Sequence, residues 1–147
     1  MARLAEIPNI VAIKEASGSL EQSSQIRRLT SPDFAIYSGD DSLTLPILAV
    51  GGSGIVSVAS HLVGDKLQEM IKAFETGNVK VATQIHLEML DLFKVLFLTT
   101  NPIPLKMALN LQGWNVGSTR LPLCDAPPDV TQKLKDVMSQ LGLLSAN

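Results

Sequence analysis

The sequence predicts an α/β fold: a short parallel sheet that is one piece of a larger barrel or sheet, followed by a helical region. Three observations predict it. Short, nearly all-apolar β-rich runs alternate with helical stretches at about 22 residues per unit, the pattern of parallel strands joined by right-handed crossovers. Only three such runs occur, leaving two sheet edges, and Ile55-Val56-Ser57-Val58 has no charge or proline to protect one. Finally, 46% of the 147 residues are apolar against 18% charged, and the mean hydropathy is +0.23, an apolar excess for a chain of this size.

The elements follow in order. Ile10-Val11-Ala12-Ile13 reads as a strand buried on both faces. Ser17-Gly18-Ser19 leads into a helix over about 20–29, with Ser19 as N-cap and Gln22 as its capping-box partner. Ser31-Pro32-Asp33 breaks that helix, and Phe34-Ala35-Ile36-Tyr37 forms the second strand, closed by Ser38-Gly39-Asp40-Asp41. A short helix over about 41–50 carries Pro46 in its early turns. Gly51-Gly52-Ser53-Gly54 is a loop and Ile55-Val56-Ser57-Val58 the third strand. The rest is helical. About 62–76 carries Leu67, Met70, Ile71 and Phe74 and stops at Gly77 as a C′ residue. About 78–98 carries Val81, Ile85, Leu92 and Leu96 on one broad stripe. Helices over about 104–112 and 128–141, the last opened by Pro128, complete the chain. The expected division is 1–77 for the strand-bearing part and 78–147 for a three-helix region.

The charge balance narrows the function classes. Twelve Lys and Arg against 14 Asp and Glu give a net charge of −2, so no basic excess is present to neutralise phosphates. Nucleic acid and acidic membranes are therefore not expected partners. The lone Cys124 excludes an intramolecular disulfide and a cysteine-rich zinc site. No apolar run approaches the ~20 residues of a membrane span and no leader pattern opens the chain, so a soluble, cytoplasmic protein is expected.

In parallel α/β architecture, reactive groups gather at the carboxyl ends of strands. Lys14 stands at the end of the first apolar run. A lysine among apolar neighbours loses hydration of its ammonium, which frees the amine to attack a carbonyl. The commoner role for such a residue is to snorkel to solvent or to pair with Glu15. At the second strand end, Gly39 permits close approach of backbone to a ligand, and Asp40 or Asp41 either orients a polar substrate or caps the next helix. The glycines at 51–54 precede their strand, whereas a phosphate cradle needs them after it, so no nucleotide site is expected. His61 and His86 have no third partner at metal-ligand spacing and read as structural. Trp114 and Cys124 read as packing residues, and Met70, Met89, Met107 and Met138 as core or interface.

These segments together resemble the dihydrodipicolinate synthase family. The resemblance rests on Ile10-Val11-Ala12-Ile13-Lys14-Glu15-Ala16-Ser17-Gly18, Ser38-Gly39-Asp40-Asp41 and Gly51-Gly52-Ser53-Gly54-Ile55-Val56-Ser57-Val58. Asn101-Pro102-Ile103-Pro104-Leu105-Lys106 and Arg120-Leu121-Pro122-Leu123 continue it in order. It implies the last three units of a (β/α)8 TIM barrel with its C-terminal helices. It implies that Lys14 forms the Schiff base with pyruvate and that Val56 contacts the bound keto acid. Gly39 and Asp40 would then lie at the neighbouring rim, toward the second substrate, aspartate semialdehyde. The implied chemistry is that of a lyase of lysine biosynthesis, the diaminopimelate pathway, and it needs neither metal nor organic cofactor.

The family's Gly-Thr-Thr-Gly-Glu carboxylate-binding segment, its proton-relaying tyrosine, its entrance arginine and its lysine-feedback site belong to the other half of the barrel. Tyr37, the single tyrosine, is at none of those positions. A positioned acid/base contributes about 10²–10⁴-fold to such proton transfers, so the chain by itself is expected to lack a competent site. The alternative is a non-catalytic assembly piece or one half of a split enzyme. Its exposed edges would be covered by an N-terminal half-barrel or, in a homo-oligomer, by further copies.

Overall fold

The computed structural model describes residues 1–144. The described residues form two compact units, the first comprising 1–57 with 66–86 and the second 58–65 with 87–144.

The first unit holds the sheet. A short helix α1 (Ala2–Ala5), absent from the sequence pattern, precedes β1 (Ala12–Glu15), α2 (Leu20–Leu29) and β2 (Ala35–Ser38). A 3-10 turn (Asp41–Leu43), α3 (Thr44–Ala49) and β3 (Gly54–Ile55) follow. The strands run parallel in the order β1-β2-β3. β1 begins two residues later than the apolar run suggests, because Ile10 N–H turns back to Ile7 C=O at 2.9 Å and the ladder opens with Ala35 N–H on Val11 C=O at 3.0 Å. Lys14 therefore lies within the strand. β3 is shorter than the expected 55–58: Val56 N–H makes a last rung to Ser38 C=O at 2.8 Å, and Ser57 turns its hydroxyl to Asp41.

Successive residues of a strand face opposite sides, so each strand sorts its residues by parity. Ile13 and Ile36 pack with Ile26 of α2, Phe34 and Ile47 of α3 on the covered face. Glu15 and Ser38 share that parity and are buried. The opposite face carries Ala12, Lys14, Ala35 and Tyr37, none of them buried. A cleft of about 370 Å³, lined by Met1, Ile13, Gln22, Ile26 and Leu29 among others, opens between β1 and α2.

α2 starts where its cap dictates: Ser19 Oγ accepts from Gln22 N–H at 3.1 Å. Such a cap is worth about 1 kcal/mol. The reciprocal half of the expected capping box does not form: Ser19 N–H donates to Ser17 Oγ at 3.2 Å, and the Gln22 amide donates to Glu15. The helix α4 (Ser60–Glu75) contains a kink at Val63 and ends at Gly77, whose φ of +82° suits a residue without Cβ. Gly77 N–H bonds Phe74 C=O at 3.0 Å and Asn78 N–H bonds Ala73 C=O at 2.8 Å, a Schellman closure. α5 (Val79–Val95) follows, ending three residues before the stripe suggests.

The second unit packs α6 (Ile103–Leu111) against α7 (Pro128–Gln140). Val130, Leu134 and Met138 are buried at i, i+4, i+8, with Leu105 and Ala108 buried on α6. Met70 and Met89 are buried as well, as the stripes predict. Trp114 and Cys124 correct the sequence reading: the first is 69% exposed and the second exposed too. Both lie in the irregular stretch after α6, which is tied down by polar bonds, Lys106 Nζ to Ser118 C=O at 2.6 Å and Asn110 Nδ2 to Gly117 C=O at 3.0 Å.

Candidate active site

The register fixes the site. Lys14 pairs with Tyr37, and Tyr37 with Gly54; Glu15 pairs with Ser38, and Ser38 with Ile55. One step further along, Ala16, Gly39 and Val56 share a row at the carboxyl end of the sheet, with parity that places them on the face of Lys14. Two backbone rungs hold that row: Gly39 N–H to Glu15 C=O at 2.7 Å and Val56 N–H to Ser38 C=O at 2.8 Å.

Lys14 does not stand upright on the sheet. Its Cε lies 2.9 Å from where a Cβ on Gly39 would be, so its stem runs forward across the glycine toward the row. The Gly39 position is close to full: the same hypothetical Cβ would meet Ala16 Cβ at 2.6 Å and Glu15 C=O oxygen at 3.1 Å. Sequence reasoning gave Gly39 to ligand approach; the structure gives the space over it to the lysine. Val56, 47% exposed, ends the row on β3. Lys14, Gly39 and Val56 thus share one face.

Asp40 behaves differently. Its Oδ1 accepts from Ser42 N–H at 3.1 Å and Ser42 Oγ–H at 2.9 Å, capping the 3-10 turn. Ser38 Oγ, donating to Asp40 C=O at 2.7 Å, braces the same turn. The capping role open at sequence level is taken by Asp40; Asp41 is buried.

Glu15 does not pair with Lys14. It is 3% exposed on the opposite face, where its carboxylate accepts from Ser17 N–H at 3.0 Å, Gln22 Nε2 at 3.0 Å and Ser23 Oγ at 3.1 Å. Burial pushes its pKa up, but the bonds from Ser17, Ser23 and Gln22 outweigh burial and hold it below the ordinary value of 4.5. Sequence reasoning considered Glu15 only as a partner for the lysine. The cue to its real setting was the pair of side-chain donors, Gln22 and Ser23, in the first turn of α2.

The surroundings expected to dry the amine are not supplied by the described residues, because Lys14 remains exposed on the uncovered face. His61 is exposed, its Nδ1 3.0 Å from Val58 C=O. His86, half-buried on α5, has its pKa lowered by burial. Among the described residues no helix is long and apolar enough to cross a membrane.

The profile of the dihydrodipicolinate synthetase family matches residues 1–141. Over 144 residues the chain is 68% identical to the 4-hydroxy-tetrahydrodipicolinate synthase of Acaryochloris marina, covering 98% of this chain and 49% of that protein. To the protein of the same name from Nostoc sp. it is 65% identical, with the same coverage. The crystal structure of dihydrodipicolinate synthase from Cyanidioschyzon merolae with lysine bound is 57% identical with a TM-score of 0.95, over 97% of this chain and 49% of that one. The chain spans about half the length of the curated relatives it matches.

Proposed function

We propose, because the chain belongs to the dihydrodipicolinate synthetase family, that it carries the nucleophilic half of a lysine-biosynthetic class I aldolase and that Lys14 is the amine that captures pyruvate. The three strands and their helices are part of the family's (β/α)8 barrel and its terminal helical region. The observation that supports the lysine assignment best is its stem crossing Gly39 toward Val56, on a sheet face where Ala12, Lys14, Ala35 and Tyr37 are not buried. We place the division between barrel portion and helical region at 77/78.

In this reading the Lys14 amine adds to the C2 carbonyl of pyruvate and the carbinolamine loses water to give an imine. Loss of a C3 proton gives the enamine, which attacks the aldehyde carbon of aspartate semialdehyde. The Gly39–Asp40 turn and Val56 bound the space in which the keto acid sits. Desolvation of the amine and the acid/base groups for carbinolamine dehydration come from a complementary part of the barrel, docked on the face of Lys14 and the free edge of β1. That edge, with the cleft between β1 and α2, is a parallel-pairing surface of the kind that a neighbouring strand and helix fill. A cytoplasmic location fits this role.

Borohydride trapping with pyruvate, followed by peptide mass mapping, tests the assignment on the chain alone and mixed with the N-terminal half of a relative. An adduct confined to the Lys14 peptide, strongest in the mixture and accompanied there by turnover, is the expected result. Labelling at another lysine overturns the nucleophile. A mixture that co-elutes by light scattering yet never traps pyruvate supports instead a non-catalytic assembly piece, for which the exposure of Lys14 speaks.

A further inference from the structure

Two side chains that take no part in imine chemistry tie the site's loops together. Asp41 is 1% exposed, and its Oδ1 accepts a hydrogen bond from Ser57 Oγ. Asp41 follows Asp40 in the chain, and Ser57 follows Val56. The bond therefore joins the loop leaving β2 to the loop leaving β3, beside the rung from Val56 N–H to Ser38 C=O at 2.8 Å. Thr44 Oγ1 donates to Asp41 C=O at 2.9 Å, so the carboxylate projects from a turn that is itself fixed. A hydroxyl donating to a carboxylate is a strong, charge-assisted bond, and a buried carboxylate that loses a donor is costly.

We infer that Asp41 and Ser57 are a positioning pair: they set the separation between the Gly39–Asp40 turn and Val56, and through it the affinity of the site for its keto acid. The inference rests on the reading of Lys14 as the imine-forming amine. A pair acting on ground-state positioning alters the substrate concentration at which trapping half-saturates and leaves the saturated rate alone. One acting only on overall stability alters the folded fraction and leaves the half-saturating concentration unchanged.

The test is the rate of borohydride trapping as a function of pyruvate concentration, in the full chain together with the complementary half. Ser57→Ala is expected to raise the half-saturating concentration about tenfold while the saturated rate stays within about twofold. Ser57→Thr, which keeps the hydroxyl, is expected to restore the wild-type concentration, and Asp41→Ala, which removes the acceptor, to follow Ser57→Ala. If Ser57→Ala lowers the folded fraction by circular dichroism, Ser57→Cys, a weak donor of similar volume, carries the same comparison. Unchanged half-saturation with Lys14 labelled, or a loss confined to the saturated rate, overturns the inference alone. Absence of any Lys14 adduct in the wild type overturns the reading beneath it, and this inference with it.

Discussion

The side chain of Lys14 lies where a side chain on Gly39 would have to go: a Cβ at residue 39 would stand 2.9 Å from Lys14 Cε. The pairing is between strands, not along one, and it makes the glycine a condition for the path of the amine.

Gly39→Ala tests that condition. The lysine end is flexible and can yield, but Ala16 Cβ at 2.6 Å and the Glu15 carbonyl oxygen at 3.1 Å cannot without moving β1. We expect pyruvate trapping at Lys14 to fall by at least about tenfold, as misplacement of a reacting group does, while the far-ultraviolet circular dichroism stays that of a folded chain. Equal trapping in wild type and variant would show that the amine reaches its substrate by another path.

Glu15 gives a pH signature. Its folded pKa lies below its unfolded value, so it adds stability above about pH 4.5 that is lost as pH falls through the lower, folded value. Glu15→Gln turns an amide toward the Ser17, Gln22 and Ser23 donors. A loss of about 1–3 kcal/mol at pH 7 is expected from urea unfolding, with a flatter acid limb than wild type. Parallel acid limbs would place the charge of Glu15 outside the fold's acid response.

His86 also titrates on the acid side of neutrality, but its shift comes from burial alone. Burial lowers its pKa below 6.5, so the unfolded chain takes up its proton first and stability declines as pH drops below that value. Proton NMR should place the His86 midpoint under 6.5, and His86→Gln should remove the corresponding slope in the unfolding free energy. A midpoint at or above 6.5 contradicts the burial.

Packing in the second unit separates two residues that both look apolar in sequence. Leu134, with 0% of its surface exposed, should cost about 2–5 kcal/mol on truncation to Ala, whereas Trp114, 69% exposed, should cost under about 0.5 kcal/mol. Chemical unfolding of the two variants decides it.

The elements that the sequence announced clearly were those with a local physical cause. Ser19 capped α2, Gly77 closed α4, and the buried stripe of Val130, Leu134 and Met138 followed its helical period. Lys14 stood out because a cation ended an apolar run. What stayed hidden depended on partners distant in sequence. The Asp41–Ser57 bond crosses from one loop to the next, and nothing local distinguishes Asp41 from Asp40 as the buried one. The two extra residues of β1 were illegible for the same reason: Lys14 and Glu15 read as strand-ending polar residues until α2 supplied donors for the carboxylate. Trp114 misled because ring size suggests burial, while the stretch after Gly113 is held to α6 by polar bonds that leave the ring exposed.

The alternation of Lys14 and Glu15 across β1 also acts as a proofreading device for threading. Sliding that segment by a single position would drive an ammonium, which can only donate, into a niche already crowded with amide and hydroxyl hydrogens, and would strand the carboxylate on the far side. Mispaired alignments are thus penalised at both positions at once, so the lysine and the glutamate together police the strand's alignment during folding.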